Sequence, residues 1–298
     1  MSPMLGIMAS QISGHLAKIF GTWTARTLSA TQNWRAIASS GSLFVVVGAS
    51  TTNATSSPDG ITWTTRTLPS SAPWYAITYG NGIFLAIATS DDRAATSTDG
   101  ITWTARTMPS FTQWRDVAWN GTVFAAVSGA SGIGATSTDG ATWTARTLAS
   151  SNNWYGIASD GSGFVSTELN GTAAQTSPDG ITWTSRTMAG SGGTGHLTFG
   201  NGLYVACGVG ATMQTSTNGI TWTSRTNTFS DAQDVAYGDG LFCAIANGST
   251  DSSSSSDGIT WTARTLPSAS GWQRVAFGSG VFATIAYGTT NAATATVT

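Results

Sequence analysis

The chain repeats one phrase that holds a hydroxyl, a carboxylate and an indole within seven residues. Ser57, Asp59, Gly60, Thr62 and Trp63 recur as Ser97/Asp99/Gly100/Thr102/Trp103, Ser137/Asp139/Gly140/Thr142/Trp143 and Ser177/Asp179/Gly180/Thr182/Trp183. Ser216 with Asn218 and Ser255 with Asp257 are looser copies. A serine two residues from an aspartate invites comparison with a hydrolytic site. A catalytic centre needs one copy, however, and this phrase recurs along the chain. As a corner its residue types make sense. The carboxylate accepts N–H groups of its own turn, and glycine takes the positive φ. The tryptophan then anchors the strand that follows.

Other groups able to do chemistry are scattered. Glycoside hydrolysis needs two carboxylates at a set separation. Glu168, the only glutamate, stands in the loop "TELNG", and its spacing to Asp91, Asp92 or Asp251 fixes no pair. His15 and His196 are far apart, and no Cys/His spacing suits zinc. Asp91-Asp92 supplies no complete oxygen cage for calcium. No metal and no cofactor is therefore expected. Neither a Ser-His-Asp arrangement nor a phosphate loop is present. His196 is read as a packing substitute for the tryptophan of sister units, such as Trp74 or Trp114. Cys207 and Cys243 lie in the apolar runs "GLYVACG" and "GLFCAIA" and read as buried thiols. Two such thiols leave the redox compartment open.

Composition narrows the classes. The chain has 298 residues and is 40% hydrophobic, enough for a packed core, but only 9% charged. Its polar surface must come from Thr, Ser, Asn and Gly, which suits strands and tight turns. Net charge is −2 without a basic tract, which argues against nucleic acid as a partner. Lys18 is the only lysine, so trypsin-like proteases find few sites, as suits life outside a cell. No apolar run is long enough for a membrane span. The first residues lack a basic leader before an apolar stretch, so they make a poor secretion signal.

The elements follow from the repeat. Tryptophans at 23, 63, 103, 143, 183, 222 and 261 are spaced 40, 40, 40, 40, 39 and 39 apart. Within 74–108, "WYAITY", "IFLAIAT", "AATST" and "ITWTARTM" are β-rich runs parted by tight-turn signals. No helical period runs through them. The predicted fold is all-β, a seven-bladed β-propeller with four antiparallel strands per blade. The innermost strand alternates bulky residues (Ile37, Ile77, Val117) with small ones (Ala38, Thr78, Ala118), so neighbouring blades nest. The N-terminal strand 22–28 supplies the fourth strand missing from the C-terminal unit. Its pairing with the strands of 272–298 would close the ring and remove an open edge. The domain plan is an anchor segment at 1–20 and a propeller at 21–298.

Two faces result. Short turns, including the Asp-Gly corners, gather on one. Loops of varied length and chemistry gather on the other, where a rigid scaffold would present a binding site or where exposed turns merely vary. The innermost strands open near this variable face with Trp34, Trp74, Trp114, Trp154 and Trp272, which either stack on sugars or plug gaps between blades. Arg35, Arg115 and Arg274, with Asp116, start such strands and are binding candidates. The arginines Arg26, Arg66, Arg106, Arg146, Arg186, Arg225 and Arg264 share one position in the outermost strand. They are expected to stack on neighbouring tryptophans or to pair with carboxylates of the adjacent blade.

The repeated phrase resembles the Asp box of sialidase-like (bacterial neuraminidase repeat) propellers, Ser-x-Asp-x-Gly-x-Thr-Trp, with one residue missing between Asp and Gly. The resemblance covers nearly all of 22–298 and implies a propeller whose box is a structural turn away from the catalytic centre. It would also imply, for a sialidase, an arginine cluster gripping a carboxylate, a tyrosine nucleophile with a glutamate partner, and an aspartate acid/base. The outer-strand arginines stand far from a central site, so no catalytic residues are assigned. The N-terminal "LGIMASQISGHL" (5–16) resembles the opening of tailed-phage particle proteins. The expectation is a non-catalytic structural or attachment protein of the phage virion. Residues 1–20 would bind other virion proteins, and the variable face a host-surface glycan or protein. A sugar-binding lectin and a sialidase-like glycosidase are the alternatives.

Overall fold

The computed structural model describes residues 18–129, 131–191, 193 and 195–298. The expected anchor falls almost wholly outside them. Every regular element among the described residues is a β-strand. The unit at the middle of the chain shows the plan: Trp154–Ser159, Phe164–Glu168, Ala173–Ser177 and Thr184–Thr187 form one four-stranded antiparallel sheet. Alternation explains it. Phe164, Val165, Ser166 and Thr167 of the second strand are all buried, so both faces of the sheet are covered. The outermost strand, by contrast, is exposed at three of its four residues.

Tight turns join the first two strands of a unit. Asn81 (φ 50) and Gly82 (φ 76) both take the left-handed conformation, the geometry that matches strand twist in a two-residue hairpin. Asp-Gly corners join the last two. Gly100 has φ 68, and a Cβ there would come within 2.8 Å of both Leu43 Cδ2 and Val45 Cγ2. The corner of one sheet is thus packed on the inner strands of its neighbour, and only glycine permits the approach.

Discrete sheets were expected throughout, but eight strands run together as one sheet, from Trp272–Gly278 and Val281–Thr296 through Thr24–Ser39 and Phe44–Ser57 to Thr104–Thr112. The cause lies in the connections. Around Ala72 and Thr112 the loops keep pairing, Thr51 with Ala72 and Asp91 with Thr112; Thr64–Gly80 thereby runs unbroken from one unit into the next, whereas Thr104–Thr112 ends there and the eight-stranded sheet with it. The same four-row ladder persists inside this sheet: Thr24–Ser39 pairs its first residues with Val281–Thr296 and its last with Phe44–Ser57. Glycine alone does not decide where strands stop: Gly132, Gly210 and Gly248 fall at or next to breaks, but Gly288, also with positive φ, lies inside the continuous strand Val281–Thr296.

The two ends of the described residues meet. Thr24, Ala25, Arg26 and Thr27 pair with Thr294, Ala293, Ala292 and Asn291. Ile19 and Thr298 exchange backbone hydrogen bonds of 2.9 and 3.1 Å. Phe20, assigned by sequence to the anchor, is 4% exposed and sits in the core against Phe282 and Trp23. The innermost strands touch in sequence, ending with Trp272–Gly278 against Thr24–Ser39.

Candidate functional site

The Ser-x-Asp-Gly corner is self-contained. Asp99 Oδ1 accepts the N–H groups of Ile101 and Thr102, both at 2.8 Å, and the Ser97 hydroxyl at 2.9 Å. Those donors, Thr102 first, hold the Asp99 carboxyl down at about 2. Asp59, Asp139 and Asp179 are lowered in the same way, led by the backbone N–H of Ile61, Thr142 and Thr182 respectively. The indole N–H groups of Trp63, Trp143 and Trp183 bond the carbonyls of Gly60, Gly140 and Gly180 at 3.0, 3.2 and 2.9 Å. Trp103 has the same placement without that bond. These carboxylates act on their own backbone.

The outer-strand arginines neither stack on tryptophan nor pair with carboxylates. Each donates Nε to a hydroxyl on the adjacent strand of its own sheet, as Arg66 does to Ser56 at 2.9 Å and Arg146 to Thr136 at 2.8 Å. The hydroxyl lies two residues along the facing strand from the arginine's direct partner, as Ser56 does from Ala54 and Thr136 from Gly134, so the bond runs diagonally across the pair. Arg264 also lies over the Phe20 ring, 5.3 Å from its centroid.

Trp34, Trp74, Trp114, Trp154 and Trp272 are at most 1% exposed. Each indole N–H donates to the carbonyl four residues earlier, Ala30 for Trp34 and Ser110 for Trp114, both at 3.0 Å. Rings so enclosed offer no face to a sugar and fill the space between sheets.

The polar cluster starts one residue later. In successive inner strands this position is Arg35, Tyr75, Arg115 and Tyr155, an alternation of guanidinium and phenol. Arg35 lies over the Tyr75 ring at 4.3 Å and donates Nη2 to its hydroxyl at 2.7 Å. Arg115 reaches both rings, 5.2 Å from the Tyr75 centroid and 5.4 Å from that of Tyr155. The two phenols are hydrogen-bonded to each other. Tyr155 packs on the His196 ring at 4.9 Å, and His196 Nδ1 is bonded to Arg274. Arg35 donates Nη1 to Gln273 Oε1 at 3.0 Å, completing a circuit of contacts around the mouth of the inner strands.

His196 does not stand in the tryptophan position. Leu197 pairs with Ala206 as Ile157 pairs with Ser166 and Val117 with Ala126, so His196 is equivalent to Gly156 and Asp116, two residues after the tryptophan. At that level Asp116, Asp234, Arg274 and His196 converge. Asp116 Oδ2 accepts Ile157 N–H at 3.2 Å and Asp234 Oδ2 accepts Val275 N–H at 2.9 Å, each from the next inner strand. Arg274 lies 3.6 Å from Asp234. Burial raises Asp116, and raises Asp234 to about 6, against the pull of Arg274. Burial first, then Arg274 and Arg35, drives His196 well below the ordinary imidazole range, so its ring is neutral. Burial pushes the Tyr75 hydroxyl upward, but Arg35, the Tyr155 bond, Arg115 and Arg274 together outweigh it and lower it. Burial also leads the rise of Tyr155.

Behind this cluster is a cavity of about 310 Å³, lined by Asp116, His196, Asp234 and Arg274 at one end and by Ser39, Tyr79 and Tyr237 at the other. No group of three or more metal-ligating side chains occurs among the described residues. Cys207 and Cys243 are buried and form no disulfide.

Comparison with known proteins decides the architecture. The model of the DUF6242 beta propeller domain matches residues 21–152. A streptogramin B lyase structure superimposes with a TM-score of 0.81 at 10% identity, covering 94% of this chain and 98% of the other. The chain is a β-propeller. A catalytically inactive virginiamycin B lyase from Staphylococcus aureus with quinupristin aligns with this propeller at 0.79 and 11% identity, over 92% and 99% of the two chains. YCF48 bound to D1 peptide aligns at 0.73 and 17%, over 94% and 98%. No curated protein matches the sequence. At such identities the likeness to the propeller is one of fold alone.

Proposed function

We propose that this propeller is a seven-bladed closed ring that serves, without catalysis, as an attachment component of a tailed-phage particle. The blade count is supported by the tryptophan repeat and by the succession of inner-strand contacts; closure is supported by the pairing of Thr24–Thr27 with Asn291–Thr294. The corner geometry at Asp59, Asp99, Asp139 and Asp179 favours kinship with the Asp-box propellers.

One observation carries the non-catalytic reading: the acid and base groups of the central cavity are already bonded to the protein. Asp116 accepts two backbone N–H groups, of Val117 and Ile157. Asp234 holds Val275 N–H and Arg274. His196 Nδ1 is spent on Arg274. Glu168, which does not line the cavity, is likewise held by Asn152 and by the N–H of Ala173. A general base needs a proton within reach and a site open to substrate, and these groups are committed to holding strands together.

Attachment is supported by the location of the guanidinium–phenol circuit among the connections that vary from blade to blade. YCF48 bound to D1 peptide supports recognition as a task for such a scaffold. The phrase at 5–16 supports the virion as its place, with residues 1–20 joined to other virion proteins and the variable face turned to a host-surface glycan or protein. Immunogold labelling of phage particles from the producing culture, with antibody to 21–298, tests this. Labelled particles are expected, and unlabelled ones sink it. Incubation of the purified chain with a polysaccharide panel is expected to release no sugar; release would overturn the non-catalytic reading.

A further inference from the structure

We infer that the groove on the outer rim, between residues 18–20 and the strands Asp251–Ser255 and Thr262–Thr265, is a seat for a phosphoryl group held by Lys18 and Arg264. The inference goes beyond the attachment reading and does not depend on it.

The groove exists because one corner is missing. Counting back from Trp23 as from Trp63, Ile19 and Phe20 take the places of Asp59 and Gly60, so this unit brings no carboxylate to its corner. It brings Lys18, the only lysine of the chain. The result is a cavity of about 350 Å³, large enough for a small ligand. Lys18 and Arg264 line it with the exposed residues Ser256, Thr260 and Thr262, and no carboxylate stands in its wall among the described residues.

Arg264 is available there. Its Nε donates to Ser254 Oγ at 2.9 Å, and its guanidinium carbon lies 5.3 Å from the Phe20 centroid. Both contacts fix the side chain without cancelling its charge. It belongs to none of the ion pairs among the described residues, which are Lys18–Asp239, Arg93–Asp91 and Arg274–Asp234. Lys18 lies 2.9 Å from Asp239, but these side chains are 37% and 40% exposed, and a pair so wet holds its partners weakly. Asp257, next to Ser256 in sequence, is turned to its own corner and accepts Ile259 and Thr260 N–H, both at 2.8 Å.

The donors select the anion. With Nε spent on Ser254, Arg264 keeps only its end-on pair of Nη groups. A planar carboxylate would engage that pair with both oxygens and leave the ammonium and the hydroxyls unanswered. The three oxygens of a phosphoryl group can meet donors from several segments at once, and lysine serves such a group as a point charge. The fold carries a control. Arg186 makes the same bond, to Thr176 at 3.1 Å, in an equivalent cavity of about 210 Å³, but there Asp160 lines the wall and no lysine does.

The test uses the full chain and saturation-transfer NMR with glycerol 3-phosphate, glycerate and glycerol. Glycerol 3-phosphate is expected to bind, glycerate to bind more weakly, and glycerol to give no signal. Arg264→Gln should weaken glycerol 3-phosphate by about tenfold and Lys18→Gln by about threefold, whereas Arg186→Gln should leave it unchanged. Lys18 is an exposed side chain, so Lys18→Gln keeps the test open if Arg264→Gln fails to fold. Phosphatidylcholine vesicles with and without phosphatidic acid separate two sources of the group. Sedimentation with the phosphatidic acid vesicles alone, lost in Lys18→Gln, assigns the seat to a lipid phosphate. Binding of glycerol 3-phosphate without sedimentation assigns it to a polyol or sugar phosphate. Equal binding of glycerate or of glycerol would overturn the inference. So would unaltered binding by Lys18→Gln or Arg264→Gln with native circular dichroism, a loss in Arg186→Gln as large as in Arg264→Gln, or neither binding nor sedimentation.

Discussion

At the residue scale, the chain carries its own control for the repeated aspartate. Asn218 stands in the corner where other units have Asp, and its Oδ1 accepts Ile220 and Thr221 N–H at 2.8 and 2.9 Å, the same pattern as Asp99. The turn needs an oxygen acceptor rather than a charge. Asp99→Asn should therefore change stability little at neutral pH, whereas Asp99→Ala should cost about 1 kcal/mol, the usual worth of a capping acceptor at an exposed site. Charge shows itself in the pH dependence. The folded carboxyl lies at about 2, below its unfolded value, so its contribution is present above the unfolded pKa and is lost as pH falls toward about 2. Denaturant midpoints measured from neutral pH down to about pH 2 should fall less steeply for Asp99→Asn than for the parent chain. Identical slopes would mean that the turn does not distinguish the ionised form.

At the scale of the strand, burial separates aromatic residues that look alike in sequence. Trp114 is 0% exposed and bonds Ser110, while Phe111, three residues earlier, is 73% exposed. Trp114→Ala should cost about 3–5 kcal/mol through the cavity it leaves. Phe111→Ala should stay within about 0.5 kcal/mol. Urea midpoints at unchanged m test both, and a small loss at Trp114 would mean that the inner strands close over the gap. The strands and corners were legible because period-two alternation and Asp-Gly recur at fixed intervals. Fusion of eight strands into one sheet was not legible, because it depends on whether loop residues such as Thr51 and Ala72 find each other. The cluster at the mouth was half legible. Arg35, Arg115, Arg274 and Asp116 stood out as charges at strand starts, but Tyr75 and Tyr155 passed unnoticed. The available signal was the position after each tryptophan, which reads Arg, Tyr, Arg, Tyr. His196 was misplaced because its unit lacks the tryptophan that sets the register, and only its neighbour's pairing with Ala206 restores it.

At the scale of the whole molecule, the question is what keeps a row of sheets from ending in exposed edges. An open row would present unpaired N–H and C=O groups at both ends and invite aggregation. Pairing of Thr27 with Asn291 covers the edge that each of these two strands would otherwise turn to the other, and it joins residues from opposite ends of the described chain. That contact is entropically costly to find, so locking it should stabilise the fold more than locking any hairpin. Thr27→Cys with Asn291→Cys places two thiols at directly opposed ladder positions. Cys207 and Cys243 are 0% exposed and should not compete for oxidation. Oxidation should yield an intramolecular disulfide enclosing nearly the whole chain, seen as faster migration in non-reducing denaturing gels. By the loop-entropy argument it should raise stability by up to about 5 kcal/mol, reversed by reductant. Thr27→Cys with Thr187→Cys, two outer-strand positions in separate sheets, should form no such bond. If the first pair cross-links only between molecules, the ends are joined across chains, and the closed ring gives way to an open assembly.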